Sequence, residues 1–192
     1  MDSTSVSLLL RLRNTQEQEA WSRFVQIYAP LVESWIRPFG LPAQDAEEMV
    51  QEVFSSLIRE LPKFDYDANR SFRAWLSTVT RNAVRSYLRR RGPKMMTNAA
   101  DNLDGLLSDD AYQIDAKEFR EYVTQRALLV MKSDFEPATW QAFWRVVTQG
   151  ESGVEVARDL GMSVNAVYVA KHRVLRRLRE ELEGMLEDGE SF

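Results

Sequence analysis

The chain has 192 residues, with 25 basic and 29 acidic side chains and a formal net charge of −4. It contains no cysteine and one histidine, His172, which excludes disulfides, thiolate zinc sites, cysteine nucleophiles and multi-histidine metal sites and argues against a Ser-His-Asp triad. The hydrophobic fraction of 44% and charged fraction of 28% are typical of soluble globular proteins, and the length allows one large domain or two small ones.

The N-terminal segment has a short apolar run at residues 6–10, followed by Arg11 and Arg13. A secretory signal has its positive charges before the apolar run instead. No stretch approaches the roughly 18 apolar residues that a membrane span needs. We therefore expect a cytoplasmic protein that does not contact a membrane.

The first strongly patterned helix is predicted over residues 45–61. Apolar residues recur there at three- and four-residue spacing, as in Met49, Val53 and Leu57. Acidic side chains occupy its first turn, where they favour the positive end of the helix dipole. Pro62 should end the helix, because the residue before a proline is pushed out of helical geometry.

A second helix is predicted from residue 71 to about residue 91, with a core face and an opposite basic stripe. At about 100° per residue, the apolar and aromatic side chains share one side. These core-face residues are Phe72, Trp75, Leu76, Val79, Ala83 and Tyr87. Residues 70–94 contain eight basic residues and no acid. An ordinary solvated face, the alternative, usually mixes both signs, so this stripe favours nucleic-acid binding.

The composition changes after this helix. Residues 97–110 are rich in Asn, Asp, Ser, Ala and Gly, which is typical of a linker, and residues 95–118 carry six acids against Lys117 alone, a net charge of −5. Strand patterns are almost absent. We predict an all-α protein with two small helical domains, at residues 1–95 and 119–192, joined by a flexible acidic linker at residues 96–118.

The C-terminal part begins with an aromatic helix whose Trp140, Phe143 and Trp144 are expected to build a core. Residues 153–170 then have the pattern of a helix-turn-helix. Ala157 is the small residue at the helix crossing, Gly161 permits a positive φ in the turn, and Ser163 can cap the second helix. The apolar residues on both sides are Val156, Leu160, Met162, Val167 and Ala170.

The second helix of this motif presents polar and small residues at its front, where a recognition helix meets base edges. These residues are Ser163, Asn165, Ala166, Tyr168, Val169 and His172. Behind them, Lys171, Arg173, Arg176 and Arg177 are suited to phosphate contacts. The pattern favours DNA binding over a helical hairpin that matches by chance.

Together these segments resemble a bacterial RNA polymerase sigma factor of the sigma-70 family, in the extracytoplasmic-function (ECF) subfamily. The first matching motif is DAEEMVQEVF at residues 45–54. The second comprises FRAWL at 72–76, Arg81-Asn82 and YLRRR at 87–91. The third comprises EVA at 155–157, LGMS at 160–163 and HRVLRRLR at 172–179. The resemblance covers nearly the whole chain.

The resemblance implies a non-enzymatic protein that binds core RNA polymerase, recognises the minus-ten and minus-thirty-five promoter elements and helps to open the duplex. Residues 1–95 would form a region-two-like domain and residues 119–192 a region-four-like domain. The implied partners are the clamp coiled coil and flap of core polymerase, promoter DNA and an anti-sigma factor. The acidic linker would pass near the polymerase active centre. No cofactor, metal or small-molecule substrate is expected.

The resemblance also assigns side chains to each contact. For the minus-ten element these are Arg81, Asn82, Arg85, Arg89 and Arg90. For capture of an unstacked base they are Lys63, Phe64, Tyr66, Asn69 and Arg70, with a turn whose aromatic rings fold back on the core as the alternative. For the minus-thirty-five element they are Ser163, Asn165, Ala166, Tyr168, Lys171, His172, Arg173 and Arg176. For core polymerase they are Asp45, Glu48, Gln51 and Glu52, with ordinary solvation as the alternative.

The recognition helix departs from the family pattern, which usually has a Lys and a nearby Arg where this chain has Tyr168, Val169 and Ala170. The acidic tail from Glu180 is read as a solubilising end or a partner surface. Two other hypotheses stay open: a helix-turn-helix regulator that acts without polymerase, and a helical adaptor with incidental basic faces. Two basic helices joined by an acidic linker favour a sigma factor over the regulator, and the adaptor predicts no salt-dependent DNA binding.

Overall fold

In the computed structural model, which describes residues 7–64, 71–91, 103–108, 110–112 and 114–186, every regular element is helical. The α-helices are α1 (Leu8–Arg11), α2 (Gln18–Ile36), α3 (Ala43–Glu60), α4 (Phe72–Arg91), α5 (Leu103–Leu106), α6 (Ala116–Met131), α7 (Pro137–Val147), α8 (Gly153–Leu160) and α9 (Val164–Leu182). The predicted all-α class is confirmed. None of the helices in these ranges is long and apolar enough to cross a bilayer.

Helices α2, α3 and α4 build the core of the N-terminal half. The ring of Phe24 on α2 lies at its centre, with centroid distances of 4.7 Å to Tyr28, 6.2 Å to Phe54 and 6.4 Å to Phe72. All four rings are buried. Aromatic side chains bury the largest areas of any residues, so this group of rings dominates the packing that holds α3 and α4 on α2.

The bounds of α3 and α4 lie close to the predicted ones. Helix α3 ends at Glu60, and a 3₁₀ turn, Leu61–Lys63, follows it directly and contains Pro62. Leu61 before the proline nevertheless keeps helical dihedral angles (φ −63°, ψ −39°), so the predicted end is close but the predicted shift of Leu61 out of helical geometry is not seen. Helix α4 begins at Phe72, and Ser71 accepts a hydrogen bond from the Ala74 amide at 3.4 Å. The core face of α4 is rotated from the predicted one, since Thr80 is buried and Trp75 only partly so. The rotation arises because α4 packs against α3 on one flank and the segment at Tyr112 on the other.

The described part of the predicted acidic linker is partly helical. Helix α5 forms one turn, and α6 begins at Ala116, inside the predicted linker bounds. Asp115 caps α6, since its Oδ1 accepts hydrogen bonds from the amides of Lys117 (2.8 Å) and Glu118 (3.4 Å), and these bonds lower the pKa of Asp115. Residues 92–102, 109 and 113 lie outside the described ranges, so the flexibility of the linker stays a prediction.

The two halves of the chain share one hydrophobic core. Four buried residues of α6, spaced by four, face α2: Phe119, Val123, Ala127 and Met131. Leu178 and Leu182 at the end of α9 join the same cluster, and the Tyr28 hydroxyl lies 3.3 Å from the Met185 Sδ. The sequence predicted two separate domains joined by a linker. In the structure α6 and the end of α9 complete the packing around α2.

A buried group of charges lies at this junction. Glu181 on α9 is only 1% exposed, with Arg177 Nη2 at 2.7 Å and Arg23 Nη1 on α2 at 3.6 Å. Arg23 also donates to Asp134 Oδ1 at 2.6 Å, in the turn after α6. Burial lowers the pKa of Arg23, but the bond to Asp134 and the field of Glu181 raise that pKa overall. The group therefore links α2, α9 and the turn after α6, and each buried charge is stabilised only while its partners of opposite sign are present.

Candidate nucleic-acid and polymerase interfaces

Helices α8 and α9 lie where the sequence predicted a helix-turn-helix, with a short turn at residues 161–163 between them. Gly161 ends α8 in the left-handed region with φ 63°, as the turn requires. Ser163 caps α9, because its Oγ accepts the Ala166 amide at 3.1 Å. Ser152 and Glu155 make a reciprocal capping box at the start of α8. The predicted roles of Gly161 and Ser163 are confirmed.

A small-residue core fixes the angle between the two helices. Val156 and Ala157 of α8 meet Val167 and Ala170 of α9, and Ala142 of α7 completes the cluster. Leu160 and Met162 cover its edge. On the next turns, Val174 packs against Trp140 and Phe143, which are buried as the sequence predicted. Small side chains at the crossing let α8 and α9 approach closely and turn the opposite face of α9 to solvent.

That outward face of α9 carries most of the residues predicted to read the minus-thirty-five element. The exposed ones are Ser163, Asn165, Tyr168, His172, Arg173 and Arg176, while Ala166 and Lys171 are half-buried. From residue 164 to residue 179 the sequence contains five Lys or Arg residues and no acid. All of α9 before Glu180 therefore carries a single sign of charge, which favours phosphate binding.

Tyr168 has a second role that the sequence did not reveal. Its ring lies against Gly153 in the first turn of α8, where an added Cβ would stand 3.1 Å from the tyrosine Oη and Cζ. The ring remains 43% exposed. Glycine at position 153 thus lets Tyr168 pack against α8, so this predicted DNA contact is also partly a structural residue.

A charged cluster holds α8 against α7. Arg145 Nε donates to Glu151 Oε1 at 2.8 Å, Arg145 Nη2 donates to Asp159 Oδ2 at 2.8 Å, and Nη2 also pairs with Glu151 Oε2. Hydrogen bonds from Arg145 lower the pKa of both carboxyl groups, and the same bonds raise the pKa of Arg145. The three residues lie 6 and 14 positions apart, so sequence patterning gave no signal for this cluster.

We expect this cluster to make the stability of the helix-turn-helix depend on acid. A carboxyl group whose pKa is lowered on folding stabilises the protein above its unfolded pKa, and that contribution is lost as the pH falls through the folded value. Arg145→Gln should therefore lower the melting temperature at pH 7, and the deficit should shrink below about pH 4, where free carboxylates protonate. Thermal unfolding at a series of pH values measures this. Arg173→Gln, on the exposed face of α9, is the control, and a deficit that does not change with pH would contradict the prediction.

Helix α4 presents four of its five predicted minus-ten residues on one side. Asn82, Arg85 and Arg89 are exposed on its outer face, and Arg81 is half-buried at the edge. Arg90 is exposed on the other flank, where its Nη2 lies 3.0 Å from Glu52 Oε1 of α3. The structure thus brings a predicted DNA contact next to a predicted polymerase contact.

The linker segment lies along α4. Arg85 Nη2 donates to the Leu107 carbonyl at 2.6 Å, and Arg73 Nη1 donates to the Ile114 carbonyl. Between them Tyr112 is buried, with its ring 6.0 Å from that of Trp35. Burial raises the pKa of Tyr112 even though Arg85 and Arg81 oppose the rise. Because the acceptors are main-chain carbonyls, the side-chain sequence could not have indicated these contacts.

The described part of the predicted base-capture loop is its start. Phe64 is 6% exposed, and its ring lies 4.9 Å from Trp75 and 5.8 Å from Phe72, so here the ring folds back on the core. Lys63 is exposed, with its Nζ 3.1 Å from Glu60 Oε1. The remaining residues of this prediction, Tyr66, Asn69 and Arg70, lie outside the described residues.

The residues predicted to meet core polymerase divide between two sides of α3. The Tyr87 hydroxyl of α4 donates to Glu48 Oε2 and to the Asp45 carbonyl, each at 3.4 Å, so these residues and Glu52 face α4. Gln51 is exposed on the other side. It lines a groove of about 600 Å³ between α2 and α3, which the sequence did not reveal. The other lining residues are Glu33, Ile36, Arg37, Leu41, Ala43, Ala46, Glu47 and Val50.

Across the described ranges, no group of His, Asp or Glu side chains is arranged to hold a metal ion. The arrangement is instead one of two exposed basic helix faces, on α4 and α9, and a mixed polar and apolar groove beside α3. Faces of this kind bind polyanions and proteins by charge and shape.

Comparisons with known proteins match the N-terminal half to one family model and most of the chain to several relatives. Residues 24–93, which include α3 and α4, match the family model for Sigma-70 region 2. The chain is 24% identical over 177 residues to the ECF RNA polymerase sigma factor BldN of Streptomyces coelicolor, covering 92% of this chain and 66% of BldN. It is 27% identical over 154 residues to the RNA polymerase sigma factor CnrH of Cupriavidus metallidurans, covering 78% of this chain and 80% of CnrH.

A solved structure of CnrH in complex with the cytosolic domain of CnrY is also similar, at 23% identity, with 89% of this chain and 92% of that chain covered and a TM-score of 0.36. The chain spans just under two thirds of the length of BldN and four fifths of that of CnrH. The region 2 match and several ECF relatives that align with most of the chain agree with the two basic helices described above. Residues 24–93 therefore match Sigma-70 region 2, and the chain as a whole is similar to extracytoplasmic-function RNA polymerase sigma factors.

Proposed function

We propose that this sigma factor binds core RNA polymerase and divides promoter recognition between two helices, α4 for the minus-ten element and α9 for the minus-thirty-five element. The observation that carries the proposal is the pair of exposed basic faces without acids on separate helices of one chain. Each basic face can neutralise phosphates, and each helix also exposes an asparagine, Asn82 or Asn165, that can bond a base edge.

Helix α9 is suited to the major groove. Its N-terminus is capped by Ser163, and the positive end of the helix dipole favours an approach to phosphates. Asn165 and His172 then face the bases, and Arg173 and Arg176 lie about two and three turns beyond Asn165, where the groove walls carry phosphates. Lys171, half-buried beside them, is proposed as a further phosphate contact.

Helix α4 is suited to a DNA strand that is being separated from its partner. Arg85 and Arg89 are one turn apart on the outer face, with Asn82 beside them. Arg85 now donates to a neutral carbonyl, that of Leu107. A phosphate oxygen is a stronger acceptor for a guanidinium than a carbonyl, because the bond is charge-assisted. Promoter DNA can therefore replace the linker segment on this helix.

The proposed polymerase dock is the exposed side of α3. Gln51 is the predicted contact that stands at the groove between α2 and α3, so we place the dock there. Glu48 and Glu52 touch Tyr87 and Arg90 of α4. A partner that binds Glu48 or Glu52 would compete with their contacts to α4. Binding at α3 would therefore also change the position of α4, the proposed minus-ten helix.

The proposal also includes a cellular location and a regulatory partner. A cytoplasmic location follows from the role, since polymerase and promoter DNA are there. An anti-sigma factor is a proposed regulator, as the family resemblance implies. The competing hypothesis of a stand-alone regulator is not favoured, because the region 2 match and the sigma-factor relatives point to a polymerase-dependent role.

The experiment is a reconstitution with purified chain and core RNA polymerase. We expect the two to co-elute, and we expect the complex to start transcripts at defined positions on a promoter library that core polymerase alone leaves unused. Binding of the chain alone to specific DNA, without any effect of polymerase, would favour the stand-alone regulator. If the chain neither binds core polymerase nor supports initiation, the proposal is wrong.

A further inference from the structure

The centre of the outward face of α9 is a narrow stripe. Helix geometry of about 100° per residue places this stripe opposite the buried residues Val167, Ala170, Val174 and Leu178. The stripe consists of Asn165, Val169, His172 and Arg176, and all four are exposed. Three are polar groups of the kind that read bases or phosphates. The fourth, Val169, is an apolar side chain that is 56% exposed.

Single exposed apolar residues are common on protein surfaces and by themselves indicate nothing. Val169 differs because it lies between Asn165, one turn before it, and His172, one turn after it. A β-branched residue is also a poorer helix former than alanine or lysine, so solvent exposure alone does not favour valine there. Tyr168, held against Gly153, places a second partly apolar side chain beside it.

The major groove of DNA offers one apolar group to such a side chain, the 5-methyl group of thymine. Asparagine next to it has a matching preference, because its amide can bond the N6 and N7 atoms of adenine at once. A lysine or arginine in this stretch, as in the usual family pattern, would favour guanine instead. The stripe therefore combines groups that suit A·T pairs at its N-terminal end.

We propose that Val169 is a specificity-determining residue that contacts the 5-methyl group of a thymine in the upstream promoter element, next to an adenine bonded by Asn165. The proposal rests on the proposed function, in which α9 enters the major groove. Four residues of helix rise about 6 Å, and base pairs are stacked about 3.4 Å apart, so the thymine lies one or two base pairs from the adenine.

The test removes single methyl groups from the DNA. Holoenzyme made with core polymerase first selects binding sites from a library randomised across the upstream element. In the enriched site each thymine is then replaced in turn by uracil, which lacks only the methyl group. We expect one uracil position to weaken wild-type binding about three- to fivefold, as expected when one buried methyl group is removed.

Two variants identify the side chain responsible. Val169→Ala should bind the thymine and uracil sites equally at that position, and it should fold normally because Val169 is exposed and alanine favours helix. Leu129→Ala on α6, which removes an apolar side chain that is also 56% exposed, should keep the difference.

The outcomes separate the two proposals. If no upstream sequence is enriched, the proposed reading of DNA by α9 fails. If a sequence is enriched but no uracil position weakens binding, or if Val169→Ala keeps the sensitivity, the role of Val169 is overturned while the proposed function stands.

Discussion

Replacing Arg85 and Arg89 together by alanine is expected to leave polymerase binding intact and to abolish promoter opening. Both side chains are exposed on the outer face of α4, so their removal should not disturb the core. Each hydrogen bond to a charged group contributes about 1.5–3 kcal/mol. Without these two bonds to phosphate, formation of the open complex should therefore fall about 100-fold or more.

Two measurements check this expectation. Permanganate reactivity of unpaired thymines reports opening of the duplex, and co-elution with core polymerase reports docking. The salt dependence should also weaken, by about 0.7 in slope for each phosphate of single-stranded DNA that the variant no longer neutralises. The control is Lys117→Ala with Lys132→Ala, which removes the same charge from exposed positions at the two ends of α6. Normal opening by the α4 variant would contradict the assignment of α4 to the minus-ten element.

Glu181→Ala is expected to destabilise the junction between the two halves strongly. The carboxylate is buried between Arg177 and Arg23, and its removal leaves two guanidinium groups without their shared counter-ion. Breaking a buried ion pair in this way costs about 3–5 kcal/mol. We expect an effect near the lower limit, about 3 kcal/mol, because Arg23 keeps its bond to Asp134 and Arg177 is partly exposed.

Urea unfolding of the full chain measures the effect. Glu183→Ala, two residues further on and exposed, is the matched control, and it should change the free energy of unfolding by less than about 0.5 kcal/mol. A double-mutant cycle with Arg23→Ala should give a coupling energy between positions 23 and 181. Equal effects of Glu181→Ala and Glu183→Ala would show that the buried charges do not hold the halves together.

This junction matters for DNA recognition because α9 is one continuous helix. Its first turns carry the proposed recognition face, and its last turns pack on α1 and α6 and contact α2 through the Arg23–Glu181 pair. Helix α4 packs on the same α2–α3 core. The buried charges therefore help to set the position of one proposed DNA-contacting helix relative to the other in the free chain.

Agreement between sequence and structure is clearest at individual residues. Gly161 and Ser163 act where the sequence predicted, and α3 ends within one residue of its predicted end, because caps and turns depend on neighbours within about four residues. Helix α2 was not singled out, although its Phe24 and Tyr28 form the centre of the core. The all-helical class and the family resemblance were nevertheless predictable from local pattern and motif order.

The distribution of charge along the chain was predictable, but the pairs that the charges form in the fold were not. The order of residues alone separates a basic helix at 70–94, an acidic linker and a basic recognition helix, which the net charge of −4 conceals. It does not show that Glu181 of the acidic tail is buried against Arg23, or that the carbonyl of Leu107 accepts a bond from Arg85. These pairs are distant in the chain or involve main-chain atoms.

The sequence by itself therefore determined the all-helical class, the helices α3, α4, α7, α8 and α9, the roles of Gly161 and Ser163, and the two basic faces. Only the tertiary structure decided that α6 and α9 share a core with α2, that Phe64 is buried and that Tyr168 packs on Gly153. The physical reason is range. Local hydrogen bonds and periodicity depend on residues that are close in the sequence. Burial and long-range ion pairs depend on which surfaces meet after the helices have formed.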